Sequence, residues 1–192
     1  MKNQKRYLIT TADEKTWKFD RPVIFLGEWC RLYDRKHIWS GMDSVVADPY
    51  GSEISKRDSD FSKVLALENK LFPKFTQLLN HHHNTNYSVR FWQIFIGAWF
   101  RIILRDLSYY VNSIKHCLSS HEISGTTGYD FNKTLCIFDT RDMVDGFFND
   151  NTNLNILYIR ILKLLKNKNF SIDLIPLENE NTHQSLKLST TR

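Results

Sequence analysis

Cysteine, proline and glycine are all scarce: three, four and seven of them occur in 192 residues. Cys30, Cys117 and Cys136 are too few and too widely separated for a disulfide framework or a Cys-x-x-Cys metal site. They suit a reducing compartment, as small buried apolar side chains. No Gly-rich phosphate loop of the GxGxxG or Walker type is present. Nor is there a long apolar run. The most apolar window, Ile94 to Leu104, is interrupted by Arg101 and flanked by Arg90 and Arg105, far short of the roughly 20 apolar residues that span a bilayer. The opening MKNQKRY is basic but runs into LITTADE, too short and too polar for a signal segment. Zinc-finger spacing, an aromatic RNA-binding motif and dense Lys/Arg runs are also missing, which excludes a recognisable nucleic-acid module. A cytoplasmic protein with no nucleic-acid partner is expected.

What is there suits an α/β domain. The length is ample for a real core, and 26 Lys and Arg against 21 Asp and Glu leave a formal charge of +5. Tyr7 to Thr11 and Val23 to Leu26 read as buried strands, the second ended by Gly27 and followed by a helical turn. Ser44 to Val46 is a weaker strand. Ser59 and Asp60 cap a helix predicted from Phe61, broken or kinked at Pro73 before about Asn80. Tyr87 to about Leu118 has helical periodicity with a break expected near Gly97 or Ser108, and its broad apolar face from Trp92 to Ile103 suits a core better than a membrane surface. Gly125-Thr126-Thr127-Gly128 reads as a loop, Thr134 to Phe138 as a strand, Leu154 to Leu165 as a largely buried helix capped by Asn151 to Asn153, and Ser171 to Leu177 as a last strand. Residues 1–177 are expected to form the domain and residues 178–192 a disordered tail.

The first strand hands over to Thr10, Thr11, Asp13 and Glu14, and open α/β sheets keep their ligand sites at such strand ends. Asp13 and Glu14 follow the strand, and because a carboxylate there can take a proton from an attacking hydroxyl, Asp13 and Glu28 are the base candidates. Arg31, with Arg35, Lys36 and His37 nearby, can hold a phosphate leaving group. The alternative for the same residues is structural: Asp13 and Glu14 as helix caps, Glu28 with Arg31 as a surface i,i+3 pair. Trp17, Trp29 and Trp39 either stack on a sugar ring or fill the core, Trp29 being the strongest stacking candidate. Cys30 lacks a His or Asp at nucleophile spacing and reads as a buried thiol. His81, His82 and His83 project about 100° apart on a helix and cannot converge on one ion, so no metal site is expected. Arg90, Arg101 and Arg105 fall within about 60° on the long helix and either line an anion groove or form its wet edge.

Taken in order, LITTADE, TWKFD, PVIFLGEWCRLYDRK and YSVRFWQIFIGAWF resemble the opening of a family of transferases encoded with bacterial surface-polysaccharide genes, of the O-antigen type. The resemblance covers roughly residues 7 to 165. It implies the amino-terminal half of a two-domain, glycosyltransferase-like enzyme: a Rossmann-like partial domain with a small, mostly parallel sheet and long flanking helices. It further implies that the carboxyl-terminal donor-binding domain lies outside this chain, so that the chain is truncated and inactive alone. A nucleotide-activated donor is then expected only for the full-length relative, with no cofactor here. The acceptor is a carbohydrate or lipid-linked carbohydrate, with Thr11, Asp13, Glu28, Trp29 and Arg31 on its side of the cleft. A split gene supplies a carboxyl-terminal partner chain, and lipopolysaccharide assembly implies peripheral attachment at the inner membrane face. The competing class is a non-enzymatic anion-binding module that uses the Arg90, Arg101 and Arg105 stripe on a membrane surface or nucleic acid.

Overall fold

The computed structural model describes residues 5–52, 54–131, 149–165 and 170–177. Five parallel strands form one sheet in the order β3-β2-β1-β4-β5: β1 (Arg6–Ile9), β2 (Val23–Phe25), β3 (Ser44–Val46), β4 (Ile123–Asp130) and β5 (Ser171–Pro176). Tyr7, Leu8 and Ile9 and Val23, Ile24 and Phe25 are all buried, without alternation. Central parallel strands are covered on both faces, so every position must be apolar. The edge strands β3 and β5 are only partly buried. With its long helices, this is the Rossmann-like α/β architecture expected from the sequence.

Among the described residues the α-helices are α1 (Lys36–Trp39), α2 (Ile54–His83), α3 (Val89–Ser120) and α4 (Asn151–Leu165). The carboxyl-terminal half of α3 brings Tyr110, Val111, Ile114, Cys117 and Leu118 onto the core beside α4, where Tyr110 and Tyr158 meet edge to face at 5.4 Å. The rest of α3 pairs with α2 as a helical hairpin. At 1.5 Å per residue each helix is roughly 45 Å long, longer than the sheet needs. Asn80 organises its turn: Oδ1 accepts from Thr85 Oγ1 (3.1 Å), Tyr87 N (3.0 Å) and Trp92 Nε1 (2.9 Å), while Nδ2 donates to Tyr87 O (2.8 Å). Among the described residues no helix is long and apolar enough to cross a membrane.

The structure corrects several expectations. Helix α2 starts at Ile54, so Ser59 and Asp60 lie inside it; Asp60 accepts laterally from Tyr50 Oη and from Lys63 (3.1 Å) and does not cap. Pro73 does not end α2, because partners on α3 grip it on both sides. Arg101 binds Glu68 through two hydrogen bonds (2.6 and 3.0 Å), and Phe100 packs on Phe72 and Phe75 at 5.2 and 5.0 Å. Helix α3 is likewise unbroken at Gly97 and Ser108. Its face from Trp92 to Ile103 is only half covered: Trp92 is buried, whereas Ile94 and Phe95 are each 73% exposed. Helix α4 begins at Asn151 and is capped by Asp150, whose Oδ1 accepts from Thr152 N (2.8 Å) and Asn153 N (2.9 Å).

The largest correction concerns Gly125 to Gly128, which form the middle of β4 and no loop. A Cβ on Gly128 would lie 2.1 Å from Ile159 Cγ1, and one on Gly125 2.6 Å from Ser171 Oγ and 2.9 Å from Tyr7 Cε2. These glycines admit α4, β5 and Tyr7 to the strand, which is a packing requirement that mimics a turn signal. The predicted strand from Thr134 to Phe138 and the tail 178–192 lie outside the described residues.

Gly128→Ala drives a methyl group into Ile159 and is expected to destabilise the protein by about 1–3 kcal/mol, read as a lower urea midpoint at unchanged slope. Gly41→Ala, whose added Cβ meets nothing within 4 Å, leaves the midpoint within about 0.5 kcal/mol.

Candidate functional site

Strand β1 is followed by a connection to β2 on one side, and its other neighbour, β4, is followed by one to β5 on the opposite side. Where connections part in this way, a crevice opens above the carboxyl ends of the two strands. Its floor is the segment Thr10 to Glu14, a polar turn that three other segments hold in place. Beyond β1, Ile9 O accepts from Leu26 N (2.8 Å) and lies 3.6 Å from Cys30 Sγ, Thr10 O accepts from Trp29 Nε1 (3.1 Å), and Thr11 O accepts from Trp17 Nε1 (2.9 Å). Three consecutive carbonyls leaving the sheet are thereby satisfied, two of them by indoles.

Asp13 caps the 3₁₀ turn Glu14–Thr16 through Lys15 N to Oδ1 (3.2 Å). Its Oδ2 accepts from Tyr129 Oη (2.6 Å) and, at 3.4 Å, from Thr152 Oγ1. Both oxygens are therefore committed, and Asp13 acts as a clamp between β1, β4 and α4. Ala12 N donates to Asn151 Oδ1 (3.2 Å). Below them Asn155, fully buried, donates to Thr10 Oγ1 (3.1 Å) and Thr127 O (3.3 Å) and accepts from Tyr129 N (3.1 Å).

Two polar atoms in this turn, Thr11 Oγ1 and Glu14 Oε1, are shielded from water and have no partner among the described residues. Buried polar atoms are nearly always paired, so such orphans mark where a further donor belongs. Glu14 Oε2 is held by Arg35 Nη1, which fixes the carboxylate's orientation. Asp150 already fills the first turn of α4, leaving that helix terminus little capacity for an anion.

The other sequence candidates are placed differently. Glu28, 72% exposed, binds Arg31 through contacts of 2.6 Å, the i,i+3 pair. Arg31 in turn lies over the Trp39 ring at 4.9 Å. Trp29 reaches the β1 turn through its indole N–H and covers Gly27, where a Cβ would sit 2.0 Å from its ring. Thus Thr11, Asp13 and Trp29 meet at the crevice, while Glu28 and Arg31 bond to each other. Tyr129, Thr152, Asn155 and Arg35 join the site only through tertiary contacts; Glu14 and its sequence neighbour Asp13 were legible as a strand-end carboxylate pair. Arg90, Arg101 and Arg105 lie on the hairpin: Arg101 is bound to Glu68, Arg105 to Asp106 (2.9 Å), and Arg90 is exposed near the start of α3. His81, His82 and His83 form the last turn of α2, with His83 beside Trp92 at 6.0 Å. Among the described residues no group of three His, Cys, Asp or Glu is arranged to hold a metal ion.

Burial pushes the Cys30 thiol up to about 12 and does the same to Cys117. Neither supplies a thiolate near neutral pH. Tyr7, buried and bonded to Thr127 Oγ1 (2.9 Å) and Asp173 (2.7 Å), is also pushed up to about 12, chiefly by burial.

The family described as LIC12162 family transferase matches residues 6–192, and the chain belongs to that family. No curated protein and no solved structure matches the chain.

In a Cys136→Ser background the native protein is expected to react with a thiol reagent at pH 8 at least about a hundredfold more slowly than in denaturant, since Cys30 and Cys117 are both buried. Fast native labelling of Cys30 restores it as a nucleophile candidate. Tyr129→Phe removes one donor from Asp13 and costs about 1–2 kcal/mol in urea denaturation.

Proposed function

We propose that this chain is the acceptor side of a glycosyltransferase-type enzyme, receiving a carbohydrate hydroxyl above the carboxyl ends of β1 and β4. The nucleotide-activated donor is carried by a further segment or a partner chain. The observation that carries this reading is the orphaned Glu14 Oε1 beside the turn that also leaves Thr11 Oγ1 unpaired. An attacking hydroxyl must lose its proton as the glycosyl group arrives, and a fixed carboxylate with a free acceptor oxygen is the group that takes it. In this assignment Glu14 is the base, Arg35 orients it, and Asp13, Tyr129 and Asn155 position the turn. The exposed part of Trp29 contacts the acceptor, and the buried Thr11 supports the turn beneath it.

Charge favours an acceptor over a phosphate at this crevice. Asp13 and Glu14 lie in the turn, Glu14 paired with Arg35, and Asp150 caps the first turn of α4, so a pyrophosphate placed here meets like-charge repulsion from Asp13 and Asp150. A polyol, rich in hydroxyl donors, matches carboxylates and Thr hydroxyls. The chain has no Gly-rich phosphate loop, which agrees with a donor held elsewhere. The resemblance to surface-polysaccharide and O-antigen transferases supports a lipid-linked carbohydrate as the acceptor.

Saturation-transfer NMR on this chain is expected to show contacts to soluble oligosaccharides and none to nucleotide sugars. Glu14→Gln should weaken the acceptor by about fivefold. In a relative that contains both halves, the equivalent substitution should lower kcat by about 10² to 10⁴ and raise the acceptor KM by no more than about fivefold. Nucleotide-sugar binding to this chain alone, or full turnover after loss of the Glu14 carboxylate, overturns the assignment.

A further inference from the structure

The α2–α3 hairpin is far larger than the core requires, and its outer face has an unusual make-up. From Phe61 to Arg105 stand six Lys and Arg, namely Lys63, Lys70, Lys74, Arg90, Arg101 and Arg105. Glu68 is the one acid in that span; its side chain is 7% exposed and bound to Arg101. Among the described residues, this stretch therefore shows solvent almost no negative charge.

The same face is apolar along its centre. Phe91, Phe95, Ala98 and Ile102 are exposed and share a sector of about 60° on α3. Tyr87, Phe91 and Phe95 stack in sequence along it, at 4.1 and 6.1 Å between rings. Ile94 is 73% exposed and falls within the adjoining sector of Arg90, Arg101 and Arg105. Large side chains left in water along a helix, with long basic side chains on one border, mark a surface that another phase or molecule covers.

We infer that this hairpin face docks on the surface of a bilayer containing anionic lipids, the aromatic stripe entering the boundary between headgroups and acyl chains and the arginines reaching lipid phosphates. Charge decides the occupant. A second copy of the chain laid on this face sets two groups of cations together, the neighbouring acids Glu68 and Asp106 being already bound to Arg101 and Arg105, whereas anionic headgroups complement its excess positive charge. The arrangement is that of a helix lying on a membrane. It also explains why Arg101 remains half exposed while bound to Glu68: its stem lies along the hairpin and its head stays at the border of the stripe. The inference stands apart from the acceptor reading, which concerns the opposite part of the chain and is tested without membranes.

The full chain is centrifuged with vesicles of phosphatidylcholine alone and of phosphatidylcholine mixed with phosphatidylglycerol. It is expected to sediment with the mixed vesicles and to stay in solution with the neutral ones, release increasing as salt is added. Ile94→Glu with Phe95→Glu should lower the partition coefficient by at least about tenfold. Lys74→Gln and Arg90→Gln, which leave the stripe intact, should each lower it by about fivefold. Helical circular dichroism checks that each variant is folded. The inference fails if wild type ignores the mixed vesicles or if neither set of variants weakens binding. It also fails if light scattering finds a dimer that Ile94→Glu with Phe95→Glu dissociates, which assigns the face to a second copy, or if single-stranded RNA binds more tightly than the mixed vesicles.

Discussion

The pairing of β1 with β4, residues more than a hundred positions apart, is the contact on which the rest depends. Leu8 lies beside Thr126, and Thr126 Oγ1 donates to Leu8 O at 2.8 Å. Gly125 and Gly128 let Tyr7, β5 and α4 close on the strand. Without this junction there is no divergence of connections, and Asp13 has neither Tyr129 nor Thr152 to bind. Because the pairing is made by hydroxyls and glycines buried in the sheet's centre, it tolerates little variation in side-chain volume. That rigidity is what places the polar turn at a defined height above the strands.

Above that junction the indoles replace what a helix supplies in many α/β folds. The β1-to-β2 connection contains only a 3₁₀ turn, so the carbonyls leaving β1 have no regular structure to bond them. Trp17 and Trp29 meet this need with one N–H each and cover the turn with their rings. Trp39 does the same for Leu32 O at 2.9 Å. Aromatic density in the opening segment is thus mainly structural. The hairpin follows a different logic: Glu68 with Arg101 and Phe100 with Phe72 and Phe75 join its helices, and its outer side leaves Phe91, Ile94 and Phe95 exposed among the described residues.

The amino-acid sequence alone determined the α/β class, the buried strands β1 and β2, the helical periodicity of α3 and α4, and a carboxylate-bearing turn after β1. Each is a local pattern: uninterrupted apolar runs, a 3.6-residue repeat, or a polar break after a strand. Membership of a transferase family was legible too, through several motifs in a fixed order, while the surface-polysaccharide and O-antigen assignment rests on the resemblance alone. Tertiary structure alone decided that Gly125 to Gly128 are a strand, because glycine demanded by a neighbour looks the same in sequence as glycine demanded by a turn. It decided that Pro73 stays inside a helix, since the contacts that offset the missing hydrogen bond come from α3. It also separated Glu14, with an unpaired oxygen, from Asp13, whose oxygens are both occupied. Hydrogen-bond partners 116 or more residues away leave no mark on local composition, so the roles of adjacent carboxylates emerge only when the chain is folded.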